Sequence, residues 1–198
     1  MLNNIDQVVE HLQQGGVALV ETDTDYALAC LPWDEEICSK IYSIKKRPPE
    51  KPLTLFISNI DTVLKYIDFN NSQDEIKFKE LSQKYWPGPL NFILNKSDLA
   101  PKHKYFDKDS LSVVFNVKKS LNQLIDRLGS PLALTSANIS GITIDGLVSK
   151  EQALENFGDQ VILLEYDEDE SKYTTMSSTI VKIENGDIKI IRQGDLIV

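Results

Sequence analysis

Residues 120–141 read SLNQLIDRLGSPLALTSANISG and carry the pattern that decides the fold. Four apolar side chains repeat there at helical spacing: Leu121, Leu124, Ile125 and Leu128. Gly129 follows as a helix stop, and residues 132–134 then form a short apolar strand that leads into the polar turn of residues 135–141. A helix that passes directly into a buried strand and a polar turn is typical of an α/β fold.

The alternation of helices and strands continues on both sides of this stretch. Amphipathic spacing predicts helices from residue 5, after Asp34, over residues 61–67 and 73–85, and after Ser149. Apolar runs predict strands at residues 17–20, 53–57, 90–94, 111–117, 161–164, 180–183 and 188–191. Asn185-Gly186 predicts a tight hairpin between the last two strands. Residues 21–26 are too polar to continue the first strand in a core.

These elements predict an α/β fold (α+β in a broader classification) whose sheet is mostly parallel or mixed and is closed by an antiparallel hairpin. No repeat, low-complexity stretch or linker interrupts the chain. Residues 1–198 are therefore expected to form a single domain, which suits a chain of this length.

Composition excludes several classes of protein. The chain has 21 basic and 30 acidic residues, so its formal net charge of −9 disfavours a generally basic nucleic-acid binder. The N-terminus lacks the pattern of a signal peptide, and no apolar run is long enough to cross a bilayer. The two cysteines, Cys30 and Cys38, have no metal-ligand spacing and suit a reducing compartment. We expect a cytoplasmic protein without a cysteine metal site.

Four polar segments lie where strands or helices end, which is where α/β folds bind ligands. They are residues 22–26, 45–51, 135–141, and 177–179 together with Arg192. Residues 45–51 hold the densest cluster of cations, which suits a nucleotide triphosphate or merely complements the helix dipole. The hydroxyl-rich turn 135–141 can cradle an anion or can be an ordinary turn, since it matches neither a P-loop nor a dinucleotide fingerprint.

No histidine lies in any of these segments, and the chain has no nucleophile elbow. The inventory of side chains therefore favours chemistry that positions charged groups over chemistry that needs a covalent nucleophile.

Five motifs in order give these segments a family resemblance. ETDTDYAL (residues 21–28), the KKRP segment (45–48) with KPL (51–53), and WPGP (86–89) are followed by TSANISG (135–141) and by STIV with IRQG (178–181 and 191–194). Their order and spacing, from about residue 3 to 195, resemble the YrdC-like threonylcarbamoyl-AMP synthase family, in its short single-domain form.

The resemblance implies a twisted open mixed sheet with a concave, positively lined cavity. It implies that L-threonine, bicarbonate and ATP give threonylcarbamoyl-adenylate and pyrophosphate, with Mg²⁺ accompanying the ATP, as a step toward the t6A modification of tRNA alongside other proteins of that pathway. Thr24, Ser136 and Ser178 would contact threonine. The residues that would contact ATP are Lys45, Arg47, Lys51, Ser110, Asn138, Ser140 and Arg192. No residue is assigned to a metal.

The chain departs from the family pattern at several positions. Glu21 replaces a proline, Ala27 and Ala29 replace glycines, and Gln193 replaces a second proline. Val114 stands where the family's strand carries an arginine. Alternation predicts that Val114 shares a face with Ser110 and Ser112, so the threonine carboxylate would lose a bidentate partner there.

Two other functions remain open on these departures. A divergent paralogue could bind nucleotide, tRNA or double-stranded RNA without this activity, although the negative charge of the chain opposes broad phosphate contact. A related enzyme that uses another amino acid would explain an altered carboxylate site.

Overall fold

A mixed β-sheet forms the centre of the structure, a computed structural model that describes residues 4–142, 146–165 and 174–198. Within these residues the sheet has ten strands: β1 Ala18–Glu21, β2 Tyr26–Cys30, β3 Thr54–Ile57, β4 Ile67–Asp68, β5 Leu90–Lys96, β6 Ser110–Phe115, β7 Leu132–Ser136, β8 Ile162–Leu163, β9 Thr179–Glu184 and β10 Asp187–Arg192. The helices are α1 Ile5–Gln13, α2 Glu35–Lys45, α3 Ile60–Val63, α4 Ser72–Tyr85, α5 Lys119–Leu128 and α6 Lys150–Phe157.

The strand order is β10-β9-β5-β6-β3-β7-β2-β1-β8, and β4 pairs with β5 beside this path. The pairs β1–β8, β3–β6 and β5–β9 are parallel, and the other six are antiparallel. The sheet is therefore mixed and open, as predicted. Its last two strands form the expected hairpin, in which Asn185 and Gly186 both take positive φ, of 54° and 80°.

Helices cover the two faces of the sheet unequally. One core, against α2, α4 and α6, contains Leu19, Leu28, Leu55 and Phe92. The other core, under α1 and α5, contains the alternate strand residues, which point to the opposite face: Ala18, Val20, Ala27, Ala29, Leu132 and Leu134. Because α1 and α5 pack near β1, β2 and β7, the same face over β3, β5 and β6 is left with a depression.

Capping residues fix where two helices begin. The Asp34 carboxylate accepts a hydrogen bond from the Glu36 N–H at 2.7 Å and caps α2. Ser149 and Gln152 form a reciprocal capping box at α6. Both starts agree with the sequence prediction.

Two local predictions were wrong. Residues 21–24 do not leave the core: Glu21, Thr22, Asp23 and Thr24 are all buried. Partners described below bind most of their polar atoms, and Asp23 Oδ2 is the exception, since it has no hydrogen-bond partner among the described residues. The chain then continues as β2, a strand that the sequence analysis did not predict. The helix expected over residues 61–67 ends at Val63, and Ile67 begins β4 instead.

Cys30 and Cys38 are buried free thiols whose sulfur atoms lie 3.7 Å apart.

No helix among the described residues is long and apolar enough to cross a membrane.

Candidate functional site

A cavity of about 350 Å³ occupies the depression left by α1 and α5. Side chains and backbone from seven strands and the loops beside them line it: Thr22, Thr24, Asp25, Ala27, Arg47, Pro52, Thr54, Phe56, Asn91, Ile93, Ser112, Val114, Leu134, Thr135, Ser136, Ser177, Ser178, Ile180 and Arg192. Its charged lining residues, in the part of the chain that the structure describes, are two arginines and one aspartate, so this lining is more positive than the chain as a whole.

Strand register brings these distant residues together. In the central strands, Thr54 pairs with both Ser112 and Leu134, and Phe56 pairs with Val114. Ala27 pairs with Ser136 on the adjoining strands. Residues paired across a sheet share a face, so these side chains form one wall of the cavity.

The loop of residues 22–25, which we call the threonine loop, forms the rim beside β1 and β2. The Thr22 hydroxyl donates to the Asp25 carbonyl at 2.7 Å and accepts from the Thr24 N–H at 3.2 Å. Asp25 extends the rim further: its carboxylate accepts from the Val148 N–H at 2.9 Å and from the Ser177 hydroxyl at 3.0 Å. Asp25 thus joins three segments of the rim.

The cationic segment after α2 contributes to a second rim. The Arg47 guanidinium donates to the carbonyls of Lys51 and Pro52 at 3.1 and 3.0 Å and lies over the Tyr42 ring. The Lys51 side chain is exposed and is absent from the lining. Arg47 is therefore the member of this segment that reaches the cavity.

Lys45 lies beneath the hydroxyl turn of residues 135–141. Its side chain is 1% exposed, and its ammonium donates to the Ser136 carbonyl and to Asn138 Oδ1. Burial, reinforced by the nearby Arg47 charge, lowers the pKa of Lys45 to about 7. The Ser136 hydroxyl also donates to Asn138 Oδ1, at 2.7 Å. The Ser140 N–H donates to the Lys45 carbonyl at 3.0 Å, so this turn is tied to the end of α2.

Arg192 closes the cavity on the hairpin side. Its Nε donates to the Ser178 carbonyl at 2.9 Å. Burial lowers the pKa of the guanidinium, while the Asp25 charge opposes that shift. The two charged groups therefore lie on the same side of the cavity, where Arg192 can meet an anion.

The floor of the cavity contains a polar network that the sequence analysis missed. The Ser112 hydroxyl donates to Asn91 Oδ1 at 2.9 Å and lies 3.1 Å from the Thr54 hydroxyl. Val114 lies beside it, two residues further along β6, with 2% exposure. Alternation along the strand predicts that Ser112 and Val114 share one face, and both line the cavity. The signal for Thr54 and Asn91 lay only in sheet register, which a single sequence does not reveal.

Five of the ten predicted site residues line the cavity, and the other five do not. The five in the lining are Thr24, Arg47, Ser136, Ser178 and Arg192. Behind the lining lie Lys45, Asn138 and Ser140, which belong to the hydroxyl turn or are hydrogen-bonded to it. Lys51 lies at the surface. Ser110 lies outside the lining, since it is at the far end of β6, where its hydroxyl donates to Asp107 at 2.9 Å. Ser112 and Val114 are the residues of that strand in the lining.

Among the described residues, no group of three or more His, Cys, Asp or Glu side chains is arranged to hold a metal ion. Within residues 4–142, 146–165 and 174–198, Asp25 is the one carboxylate in the lining. Mg²⁺ is usually held by substrate phosphates, water and one or two carboxylates. Asp25 is thus the residue that fits an ion arriving with a triphosphate.

A larger groove, of about 940 Å³, lies beyond Pro52, which it shares with the cavity. Its lining mixes four lysines (Lys96, Lys102, Lys104, Lys108) with five acidic residues (Glu50, Asp68, Asp98, Asp107, Asp109). The near balance of charge does not favour a triphosphate there.

The fold is that of a known family. Residues 10–194 match the family model of the Sua5, YciO and YrdC proteins, which is described as "Telomere recombination". The chain therefore belongs to this family.

Relatives of known sequence and structure agree with that membership. The threonylcarbamoyl-AMP synthase of Vibrio parahaemolyticus is 28% identical over 165 residues, which cover 82% of this chain and 86% of the relative. That of Aliivibrio fischeri is 30% identical over 142 residues, or 71% and 75% of the two chains.

Two solved structures share the fold. The P. abyssi Sua5 protein, crystallised with L-threonine, has a TM-score of 0.81 at 24% identity. This chain is 97% covered by the match but spans just over half, 54%, of that protein. The E. coli YciO protein has a TM-score of 0.74 at 22% identity, with 96% of this chain and 89% of that one covered.

Proposed function

We propose that the cavity binds L-threonine and ATP and that the chain forms threonylcarbamoyl-adenylate, with bicarbonate as the source of the carbamoyl carbon. One observation carries the proposal. Thr24, Arg47, Ser136, Ser178 and Arg192, which the family resemblance assigns to the two substrates, are spread over most of the chain and yet line one cavity.

The reaction requires that the substrates are positioned and that their negative charge is neutralised. Bicarbonate and the threonine amine condense to a carbamate with loss of water. A carbamate oxygen then bonds to the α-phosphorus of ATP while the bond to the bridging oxygen breaks, and pyrophosphate leaves. The carbamate and the triphosphate are both anions, so their approach is opposed by repulsion. Arg47 and Arg192 supply positive charge at the cavity, and the Lys45 ammonium supports the turn between them.

The polar rim suits the remaining groups of the substrates. Hydroxyls from Thr24, Ser136 and Ser178 can donate hydrogen bonds to the carboxylate of an amino acid and accept them from its amine. Asp25 offers a carboxylate to a cationic amine or to a magnesium ion bound by the triphosphate. That ion would screen the repulsion between the two anions.

The test is pyrophosphate release from ATP, measured with bicarbonate and each amino acid in turn. The proposal expects release that depends on threonine and on bicarbonate together. No release with any amino acid, alongside measurable binding of ATP or of double-stranded RNA, would instead identify a binding protein without this activity.

Val114 supports one further candidate, a related synthase that uses another amino acid. A valine, which lines the cavity together with Phe56 and Leu134, stands where the family carries an arginine. Such a wall gives the carboxylate no bidentate partner, so amino acids that gain contacts through an apolar side chain would compete better with threonine. Release of pyrophosphate with one of those amino acids in preference to threonine would select this candidate.

A further inference from the structure

Behind the threonine loop lies a cluster of four buried polar side chains that the proposed reaction does not use. Glu21, Asp23, Asn116 and Lys118 are 8%, 3%, 0% and 1% exposed. None of them lines the cavity. Glu21 is also one of the positions at which the chain departs from the family pattern, where it replaces a proline.

The four side chains connect the loop to the end of β6. Lys118 Nζ lies 3.3 Å from Glu21 Oε1. Asn116 Nδ2 donates to Asp23 Oδ1 at 2.7 Å, and Asn116 Oδ1 accepts from the Lys118 N–H at 3.0 Å. Asn116 is itself held, because its carbonyl accepts from Asn122 Nδ2 of α5 at 2.9 Å.

The side chains in and beside the threonine loop point in two directions. Thr22, Thr24 and Asp25 line the cavity, whereas Glu21 and Asp23, between or beside them, point away from it into the cluster. A shift of the cluster therefore shifts the residues on the cavity rim. The anchor at Asn116 is only two residues from Val114, which lines the same cavity.

Stability alone does not account for such a cluster. Removing charged groups from water is costly, and packed apolar residues of similar volume are often as stable as a buried ion pair. A set of directional contacts does, however, hold its groups in one arrangement, which an apolar contact does not do.

We propose that Glu21, Asp23, Asn116 and Lys118 form a buried latch that positions the threonine loop against the end of β6, so that its hydroxyls meet the substrate. These four are positioning residues. The inference rests on the proposed function for its kinetic test, but the state of the loop can be measured without it.

Asn116→Ala removes the amide that joins the loop to β6. We expect the KM for L-threonine in pyrophosphate release to rise on the order of tenfold or more, with a smaller change in kcat, since misplacement by about 1 Å has effects of that size. Amide hydrogen exchange at Thr22 and Thr24 should accelerate by a similar factor, because their N–H bonds lie inside the loop.

Two comparisons separate positioning from a general loss of stability. The exchange of partners in Asp23→Asn with Asn116→Asp recreates an amide–carboxylate contact in the reverse sense and should restore both the KM and the protection of the loop. Leu81→Ala, in α4 on the other face of the sheet, should lower stability without either effect.

A KM that follows global stability equally in Asn116→Ala and Leu81→Ala, with unchanged loop exchange, would overturn the latch. If the unaltered protein releases no pyrophosphate, the proposed function fails while the exchange measurement still decides the latch. In that case faster loop exchange in Asn116→Ala, reversed by the exchanged pair, supports it, and unchanged exchange refutes it.

Discussion

Under the proposed function, Val114 is the residue that bears most directly on threonine affinity. It lines the cavity, and an arginine there would give the substrate carboxylate a charge-assisted pair. We expect Val114→Arg to tighten threonine binding about 10- to 100-fold, the equivalent of about 1.5–3 kcal/mol. Calorimetric titration with threonine, in the presence of ATP and bicarbonate, measures the change.

The matched control is Val114→Met, which fills the cavity with an apolar side chain and brings no charge. It should leave threonine affinity unchanged or weaker. Micromolar binding of threonine by the unaltered protein would contradict the role given to Val114.

Arg47 is the second residue with a specific expectation. Arg47→Ala should weaken ATP binding by about 1.5–3 kcal/mol, as for loss of a charge-assisted hydrogen bond. From sequence alone, a change in stability under about 0.5 kcal/mol is expected for an exposed site. The structure corrects that figure, because the guanidinium donates to the Lys51 and Pro52 carbonyls. We therefore expect a loss of about 1–2 kcal/mol in unfolding free energy.

Titration with ATP, well below the unfolding temperature, separates the two effects of this substitution. Lys46→Gln removes a neighbouring charge outside the cavity and should leave ATP affinity nearly unchanged. Equal weakening in both variants would assign the effect to general electrostatics and not to contact by Arg47.

At the scale of elements, the close approach of two segments shapes the hairpin side of the cavity. A Cβ atom on Gly194 would lie 2.3 Å from the Ser177 carbonyl oxygen and 2.9 Å from the Thr179 nitrogen. Gly194→Ala must therefore push residues 177–179 outward. We expect a loss of about 1–3 kcal/mol in stability, as for other overpacked sites, together with weaker ATP binding because Ser178 and Arg192 move.

Gly129→Ala is the control for this prediction. Gly129 has φ of +62° and no atom within 4 Å of its Cβ position, so alanine there meets backbone strain of about 1 kcal/mol without a clash. Gly129 is absent from the cavity lining, so the substitution should leave ATP affinity unaltered. Identical ATP affinity in the two variants would refute the packing argument for Gly194.

Elements with a strong local signal were predictable, and one with a conflicting signal was not. Asp34 marks the start of α2, and Asn185-Gly186 marks the hairpin, because capping and positive φ are local requirements. The strand β2 was missed because the polar run of residues 21–26 precedes it. Glu21 and Asp23 of that run are buried against Lys118 and Asn116, partners that lie far away in sequence.

At the scale of the whole molecule, the site was predictable where it depends on a local pattern, and not where it depends on contacts between distant segments. Alternation within one strand correctly put Ser112 and Val114 on the cavity face. The polar floor also needs Thr54 and Asn91, whose meeting with Ser112 depends on a strand order that is not sequential. Ser110 was assigned by motif spacing, but it lies near the opposite end of its strand from the cavity, beside Asp107.

The buried acid at the threonine loop affects the stability of the whole molecule. Burial raises the pKa of Asp23 from 3.8 to about 6, although the Asn116 amide and the Val117 N–H oppose the shift. The folded state therefore binds more protons than the unfolded state between these two values. Protonation of Asp23 therefore adds to the free energy of unfolding below about pH 3.8, and this contribution is lost as the pH rises through about 6.

Asp23→Asn removes the titration while an amide oxygen still accepts from Asn116. The unfolding free energy of the variant, relative to the unaltered protein, should rise by about 2–3 kcal/mol between about pH 4 and about pH 8. Other titrating groups are common to both proteins, so they cancel in this difference. Urea unfolding of the two proteins at a series of pH values measures it. A difference that stays constant between about pH 4 and about pH 8 would show that the pKa of Asp23 is not raised in the folded state.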